Sequence, residues 1–291
     1  MIKISFVIVT YNSQSLIKDC IDSIFRHNNV DINAIEVIVV DNSDMTENIL
    51  LFDYLQLLYN DRVIRVKNDK NLGYGQGNNV GIMKARGTIV CIMNPDVRFI
   101  EPLLSEVQTR FDNDSNLCLL GPRQLGGENL SHYIKPEFYI PVLNPLLIKL
   151  TNRLNIFNSR VSYLSGAFFF IDRAKFLSIG LFDERLFLFF EESDISNRIL
   201  EKKYLIHFEH KLKYLHDIGE RSDFSVFAFN VGLDSMSHYC KKFGISEKRL
   251  LSKKILTLRF KLLIAKLKGN SSGVENLNKE LYLLTDRLKS I

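Results

Sequence analysis

Several short clusters in this chain set polar or acidic side chains at the ends of apolar runs. Asn94-Pro95-Asp96 follows Ile89 to Met93. Asn-Pro-Asp by itself is an ordinary turn. At a strand end, however, one aspartate meets the protein's share of a hard-cation site, because Mg²⁺ or Mn²⁺ takes one or two carboxylates together with phosphate oxygens. His216 follows an apolar stretch and precedes Asp217-Ile218-Gly219-Glu220-Arg221-Ser222. A lone histidine is commonly structural; as a metal ligand it would complete the site of Asp96. Glu191-Glu192-Ser193-Asp194 opens a helical pattern beside Phe187, Phe189 and Phe190. Acids in a first turn complement the helix dipole. In apolar surroundings a carboxylate's pKa also rises, which suits it to general-base work.

Asn71-Leu72-Gly73-Tyr74-Gly75-Gln76-Gly77-Asn78-Asn79 tests as a dinucleotide fingerprint and fails, since Val80 stands where the last glycine is needed. It reads as a flexible turn opening a helix, or as backbone that lets a nucleotide sugar approach closely. Asp41, in Asp41-Asn42-Ser43, is either a turn former or an acceptor for a base or ribose. Tyr11, in Thr10-Tyr11-Asn12, either stacks on a base or packs on the first helix.

The elements that must position these groups alternate. Ile4 to Val9, Val37 to Val40, Arg62 to Val66 and Ile89 to Met93 read as buried strands. Helical patterns follow: Leu16, Ile17, Cys20, Ile21, Ile24 and Phe25 after a cap at Ser13 or Ser15, then Ile49 to Tyr59, then Asn78 to Arg86. This order predicts an α/β domain with a mostly parallel sheet. In such a sheet the carboxyl ends of the strands share one edge, where ligands bind. The four clusters after the strands, including Asn68-Asp69-Lys70-Asn71, therefore converge on one crevice.

The later chain is less regular. Gly126 to Arg160 reads as a long, partly helical excursion, Tyr163 to Ile171 as a strand carrying Ser165-Gly166-Ala167, and Leu205 to Phe208 and Lys213 to Leu215 as two short strands. From Phe224 onward the pattern is helical, with Gly269 to Gly273 as a flexible joint before a last short helix. Residues 248–268 hold eight Lys or Arg and no acid, with Leu251, Ile255, Leu258, Leu262 and Leu267 as an apolar side. That pattern suits either an anionic membrane surface or a terminal helix packed on the domain.

Composition is compatible with these elements. The chain has 291 residues, 46% hydrophobic, with a net charge of +5 that favours anionic ligands such as nucleotides. No zinc finger or RNP-like run points to nucleic acid. The four cysteines, Cys20, Cys91, Cys118 and Cys240, form no Cys-x-x-Cys pair, so a reducing compartment is expected. No signal peptide and no membrane-spanning run is read.

Six segments together resemble glycosyltransferase family 2, the inverting GT-A group: "FVIVTYNS", "VIVVDNSD", "NLGYGQGNNVGI", "IMNPDV", "YLSGAFFFI" and "GLFDERLFLFFEESDISNR". The resemblance covers about residues 3–222 and is greatest to bacterial rhamnosyltransferases of O-antigen and surface polysaccharide assembly. It implies a GT-A fold, with a Rossmann-like, mixed but mainly parallel sheet flanked by helices and a C-terminal helical extension. Residues 1–222 would form the transferase domain, 1–100 the nucleotide-sugar half and 101–222 the acceptor half; 223–291 would be the extension.

The same resemblance implies the site. Thr10, Tyr11, Asn12 and Asp41 would hold base and ribose. Asn71, Gly73, Asn78 and Asn94 would line the sugar-nucleotide pocket, and Gly166 and Ala167 would border donor and acceptor. Asp96 stands at the end of the family's Asp-x-Asp motif, whose first acid is here Asn94, and His216 at a downstream histidine. The cofactor would be Mg²⁺ or Mn²⁺. Glu192 falls at the base position, where Asp is usual, so the assignment stays open among Glu191, Glu192 and Asp194. The implied reaction is inverting hexosyl transfer, with dTDP-rhamnose as first choice of donor. The acceptor would be a polyprenyl-diphosphate-linked saccharide at the cytoplasmic face of the inner membrane. The alternatives are another nucleotide sugar such as a UDP-hexose, or a non-catalytic nucleotide-binding or scaffold protein. The C-terminal helices could serve a homodimer as well as a membrane.

Overall fold

The structure is a computed structural model and describes residues 1–43, 45–126, 130–216 and 224–291. Its first half is β1 (Ile4–Thr10), α1 (Gln14–Arg26), β2 (Ile35–Asp41), α2 (Met45–Tyr59), β3 (Val63–Lys67), α3 (Gly73–Lys84), β4 (Ile89–Met93) and β5 (Val97–Phe99). Then come α4 (Leu104–Asn113), β6 (Leu117–Leu125), β7 (His132–Ile134), α5 (Asn144–Arg153), β8 (Ser162–Leu164), β9 (Phe168–Asp172) and α6 (Arg173–Ser178). The chain finishes with α7 (Glu191–Glu201), β10 (Leu205–His216), α8 (Val226–Phe243), α9 (Glu247–Leu267) and α10 (Ser271–Lys289).

Eight strands make one sheet in the order β3-β2-β1-β4-β9-β6-β10-β5. β3, β2, β1 and β4 run parallel, as do β6 and β10, whereas β9 runs antiparallel to both of its neighbours. Every residue of β2 and β4 is buried, because helices cover both sheet faces. Along β1, Phe6 and Ile8 pack with Ile17, Cys20, Ile21 and Ile24 of α1. Val7 points the other way, into a cluster with Ile82 of α3 and Ile195 and Ile199 of α7. The period-two alternation of a strand thus feeds two cores from one apolar run. A third apolar cluster joins α8, α9 and α10 through Leu233, Met236, Cys240, Leu251, Leu258 and Leu284.

The structure corrects several local expectations. Tyr163 to Ile171 is two strands: β8 pairs with β7 in a small separate sheet, β9 enters the main sheet, and Ser165-Gly166-Ala167 is the crossing between them. Leu205 to Leu215 is one strand, with an irregularity between Glu209 and Lys213 where residues 210–212 bulge out of the pairing with β6 and the ladder then resumes. α3 begins at Gly73, not Asn78, so the glycines lie in the helix's first turns. Ser13 stands at the N-cap of α1, but its hydroxyl donates to Tyr11 O instead of capping. The joint before the last helix is short, because α10 starts at Ser271 with Asn270 accepting from Gly273 N, and that helix has 19 residues. Leu251, Ile255 and Leu258 of the basic helix face the protein interior. The expected boundary at 222/223 and the segment Asp217 to Ser222 lie outside the described residues. Among the described residues no helix is long and apolar enough to cross a membrane. All four cysteines are free and buried.

Candidate active site

The carboxyl ends of the parallel strands are stitched together by a few polar groups. Asn42 N donates to Thr10 O at 2.8 Å and Asn68 N to Asp41 O at 3.1 Å. Asn42 is the hub. Its amide donates to Gly73 O at 3.0 Å, and its Oδ1 accepts from Asn68 Nδ2 at 2.8 Å. One residue, through its backbone N–H and its side chain, therefore ties β1, β2, the chain after β3 and the start of α3, and only its place in a D-N-S turn could have signalled it.

Asp41 is buried, and both of its oxygens are engaged. Oδ1 accepts from the Thr10 hydroxyl at 2.8 Å and the Ser43 hydroxyl at 2.7 Å, and Oδ2 accepts from Asn48 Nδ2 at 2.9 Å. Thr10 is likewise fully buried. Asn12 adopts positive φ (52°), with its N–H on the Ser43 hydroxyl at 2.8 Å. Tyr11, by contrast, is 55% exposed, so its ring is the part of this corner open to a ligand.

The glycine-rich stretch is shaped by contact. Gly73 has φ +79°, and a Cβ there would stand 2.1 Å from the Phe187 carbonyl oxygen, which accepts from Tyr74 N at 3.1 Å. Asn71 Oδ1 accepts from Gly73 N at 2.9 Å. Asn78 is buried; its amide donates to Tyr74 O at 2.9 Å, while its Oδ1 has no partner among the described residues.

The turn after β4 is pinned from both sides. Asn94 N donates to Ala167 O at 2.9 Å, and Arg98 donates to Pro95 O at 2.7 Å and to Leu16 O at 3.0 Å. This places Asp96 beside His216, with Nε2 and Oδ2 3.2 Å apart. Asp96 immediately precedes β5 and His216 ends β10, and in this antiparallel pair His216 is opposite Val97. Asp96 Oδ1 and His216 Nδ1 are buried without partners among the described residues. One carboxylate and one imidazole with spare lone pairs fit a divalent ion whose remaining positions are filled by phosphate oxygens. Among the described residues no group of three or more His, Cys, Asp or Glu could hold a metal unaided.

The acids of α7 separate in role. Asp194 is fully buried and pairs with Arg198 at 2.5 Å and with Lys242 of α8, so it anchors the helix. Glu191 is buried, its Oε1 has no partner among the described residues, and its side chain lies against Gly75, where a Cβ would stand 3.5 Å from Glu191 Cγ. Glu192 is half-buried, and its Oε1 accepts from Gly166 N at 3.2 Å. A Cβ on Gly166 would come within 2.3 Å of that oxygen. Burial drives both carboxyls above the ordinary range, and the Glu192 charge raises Glu191 further. Phe190, at the helix N-cap, has left-handed φ (72°), which turns the chain sharply into α7.

Tyr74 completes the circuit. Its hydroxyl donates to Gly166 O at 2.6 Å, so α3 and Glu192 of α7 meet at one residue. Tyr214, two residues before His216, is buried and donates its hydroxyl to Gln124 Oε1 at 3.0 Å, while Asn94 N, two residues before Asp96, holds Ala167 O of the crossing. The metal-type pair, the glycine-rich helix and the Glu192 carboxyl thus converge on the 165–167 crossing. Two surface cavities, of about 470 and 360 Å³, lie elsewhere; neither is lined by Asp96, His216 or Glu192.

A mainly parallel sheet with polar strand ends, a carboxylate–histidine pair and a half-buried carboxyl of α7 held against the 165–167 crossing defines the GT-A class of fold. The chain belongs to the family described as Glycosyl transferase family 2, whose sequence profile matches residues 5–180. The low-salt glycan biosynthesis hexosyltransferase Agl10 of Haloferax volcanii is 26% identical over 204 residues, 67% of this chain and 61% of that protein. The chain thus spans about three fifths of that relative's length. The dTDP-rhamnosyl transferase RfbF of Shigella flexneri is 24% identical over 74% of this chain and 69% of that protein. Among solved structures, the mannosyltransferase PcManGT of Pyrobaculum calidifontis, in complex with GDP-Man and Mn²⁺, matches with a TM-score of 0.61. That match has 13% identity and covers 99% of this chain and 82% of that one. GalNAc-T7 with UDP, GalNAc and Mn²⁺ matches with a TM-score of 0.57, at 18% identity over 74% of this chain and 44% of that one. The expected GT-A glycosyltransferase is borne out at the level of fold and family.

Proposed function

We propose that this protein transfers a hexosyl group from a nucleotide diphospho-sugar to a saccharide hydroxyl with inversion, and that the donor is dTDP-L-rhamnose. The single observation that carries the transfer reading is the Glu192 carboxyl fixed on Gly166 N at the edge where Asp96 and His216 meet. The rhamnose reading is supported by the resemblance of RfbF, a rhamnosyl transferase.

In this reading Tyr11 stacks on the base, and Thr10, Asn12 and Asp41 order the loop beneath it through the bonds described. Asn71, Gly73, Asn78 and Asn94 border the sugar diphosphate. Asp96 and His216 would hold Mg²⁺ or Mn²⁺, which when bound would neutralise negative charge on the leaving diphosphate. Glu192 accepts the acceptor hydroxyl's proton as its oxygen attacks the anomeric carbon from the face opposite the diphosphate. The bond from that carbon to the diphosphate oxygen breaks, and its electron pair leaves with the nucleoside diphosphate. A raised pKa makes Glu192 the stronger base once ionised, and Gly166 and Ala167 leave room for the reacting sugars. Residues 1–100 serve the donor and 101–222 the acceptor, which we take to be carried on a polyprenyl diphosphate at the cytoplasmic membrane face.

The test pairs donor binding with turnover. Glu192→Gln should abolish transfer while dTDP-rhamnose still protects the protein thermally. Near-normal transfer by this variant would remove Glu192 as the base. A panel of nucleotide sugars decides the donor: protection by a UDP-hexose, with none by dTDP-rhamnose, would overturn the rhamnose assignment and leave the transfer reading standing.

A further inference from the structure

Helix α9 is apolar on two opposite sides. Leu251, Ile255 and Leu258 pack inward. Leu256, Phe260, Leu263 and Leu267 recur at spacings of four, three and four, so they line one strip on the outward side. All four are exposed, Leu267 by 79%. At 1.5 Å per residue the strip is about 17 Å long. A second outward row, Leu143, Leu146, Leu150 and Leu154, runs along α5 and its flanks, with Leu146 63% exposed.

The two rows belong to elements that are bolted together. Thr257 Oγ1 of α9 accepts from Val142 N at 3.0 Å and from the Tyr139 hydroxyl at 2.8 Å, and Lys253 Nζ donates to Tyr139 O at 2.8 Å. Thr257 is buried, so this junction lies beneath the surface and not on it.

Charge selects what covers these rows. Residues 138–171 hold three Lys or Arg and no Asp or Glu, and residues 248–268 hold eight and none. Arg259 and Lys266 are exposed and follow one border of the α9 strip, where their stems can lie on apolar surface while their charges reach outward. A second copy docking this face onto itself would oppose cation to cation, since an isologous contact pairs a patch with itself. An anionic bilayer meets both features: apolar side chains enter the acyl boundary, and basic ones meet the headgroup phosphates.

We propose that the outward face of α9, together with the α5 row, docks this protein peripherally on an anionic lipid bilayer. The interior side, Leu251, Ile255 and Leu258, takes no part. Docking goes beyond the transfer reading and stands whatever sugar is moved. The seat is also joined to the site: Tyr239 of α8, which packs in the same helical unit, hydrogen-bonds to Ser193 at 2.7 Å and Asn197 at 2.9 Å, both on α7.

The experiment is co-sedimentation of the full chain with large vesicles, either phosphatidylcholine alone or phosphatidylcholine mixed with phosphatidylglycerol at roughly two to one. Binding is expected to the mixed vesicles only and should weaken with added salt. Leu256→Gln/Phe260→Gln/Leu263→Gln, and separately Arg259→Gln/Lys266→Gln, should each lower partitioning about tenfold or more. Thermal protection by nucleotide sugars in the same preparations should stay as in the parent, so docking and transfer fail separately. Absence of binding by the parent, or equal binding by both variants, overturns the proposal. So does sedimentation velocity showing a dimer that the triple variant dissociates while no vesicle binding is seen.

Discussion

The Tyr74 hydroxyl donates to the Gly166 carbonyl oxygen at 2.6 Å, and the N–H of the same glycine holds Glu192 Oε1 at 3.2 Å. Segments 92 and 26 residues away in sequence therefore act on one residue, through the two peptide groups that flank its Cα. Burial, then the nearby Glu192 and Glu191 charges, hold the Tyr74 phenol well above its ordinary pKa, so it stays a donor at any physiological pH. Tyr74→Phe removes one neutral hydrogen bond, a loss of about 1 kcal/mol in stability. If Tyr74 positions Glu192, kcat should fall about tenfold while the donor KM changes little. A thermal shift with unchanged kcat would leave Tyr74 a purely structural residue.

Two glycines separate room for chemistry from room for the fold. At Gly166 a new Cβ collides with the free end of the Glu192 side chain, which can swing away. At Gly73 it collides with the Phe187 backbone oxygen, and the φ of +79° disfavours alanine as well. Gly166→Ala should therefore cut transfer by about a hundredfold or more with a small change in urea midpoint. Gly73→Ala should cost roughly 1–3 kcal/mol of stability. Steady-state rates and urea unfolding on both variants distinguish the cases; a Gly166→Ala enzyme of parental activity would free Glu192 from its proposed position.

Glu191 and Glu192 are neighbours driven the same way, but only Glu192 is half-exposed beside the Gly166 crossing. Both pKa values are raised, so the ionised pair is disfavoured and one proton is retained above the ordinary carboxylate range. Glu191 is the more buried, and we assign the retained proton to it. Glu191→Gln copies a protonated carboxyl and should keep transfer within about tenfold, whereas Glu192→Gln should lose about a hundredfold or more. The acid limb of the rate profile should lie above the ordinary carboxylate value of 4.5, because the base works only when ionised and its folded pKa is raised. A limb at or below that value would place the base in a less buried group.

The donor edge was legible because its physics is local. β1, β2 and β4 are apolar, β-branched runs ended by polar turns, and a parallel sheet puts those ends on one edge. Asp96 and His216 were legible as separate candidates, and their 3.2 Å approach follows from β5 pairing antiparallel with β10. Other features depend on partners remote in sequence. Tyr163 to Ile171 is so apolar that the break at Gly166 is invisible until Glu192 needs the space. The charged middle of β10 reads as a loop, yet Glu209 is buried there against Arg110 at 2.7 Å. Helix α9 carries leucines all round, so periodicity could not say which side faces inward; α8 and α10 decide it.

Lys135 offers a test of the ground on which α7 stands. It is 1% exposed, and its Nζ donates to Asn197 Oδ1 of α7 at 2.7 Å. Burial lowers its pKa from 10.5 to about 8, while the Glu137 charge works weakly the other way. Below about pH 8 both folded and unfolded chains are protonated here, and the cost of burying the ammonium is present in full. Between about 8 and 10.5 the unfolded chain holds the proton that the folded chain has released, so unfolding free energy rises with pH. The rise should be roughly 1–4 kcal/mol across that window. Lys135→Met keeps the stem and deletes the titrating group, so its stability should lack this component. Urea unfolding of parent and variant at a series of pH values reads the difference directly, with other groups cancelling. The gap should shift in favour of the parent as pH rises; a gap independent of pH would mean that Lys135 keeps an ordinary ammonium in the folded protein, solvated by water beside Asn197.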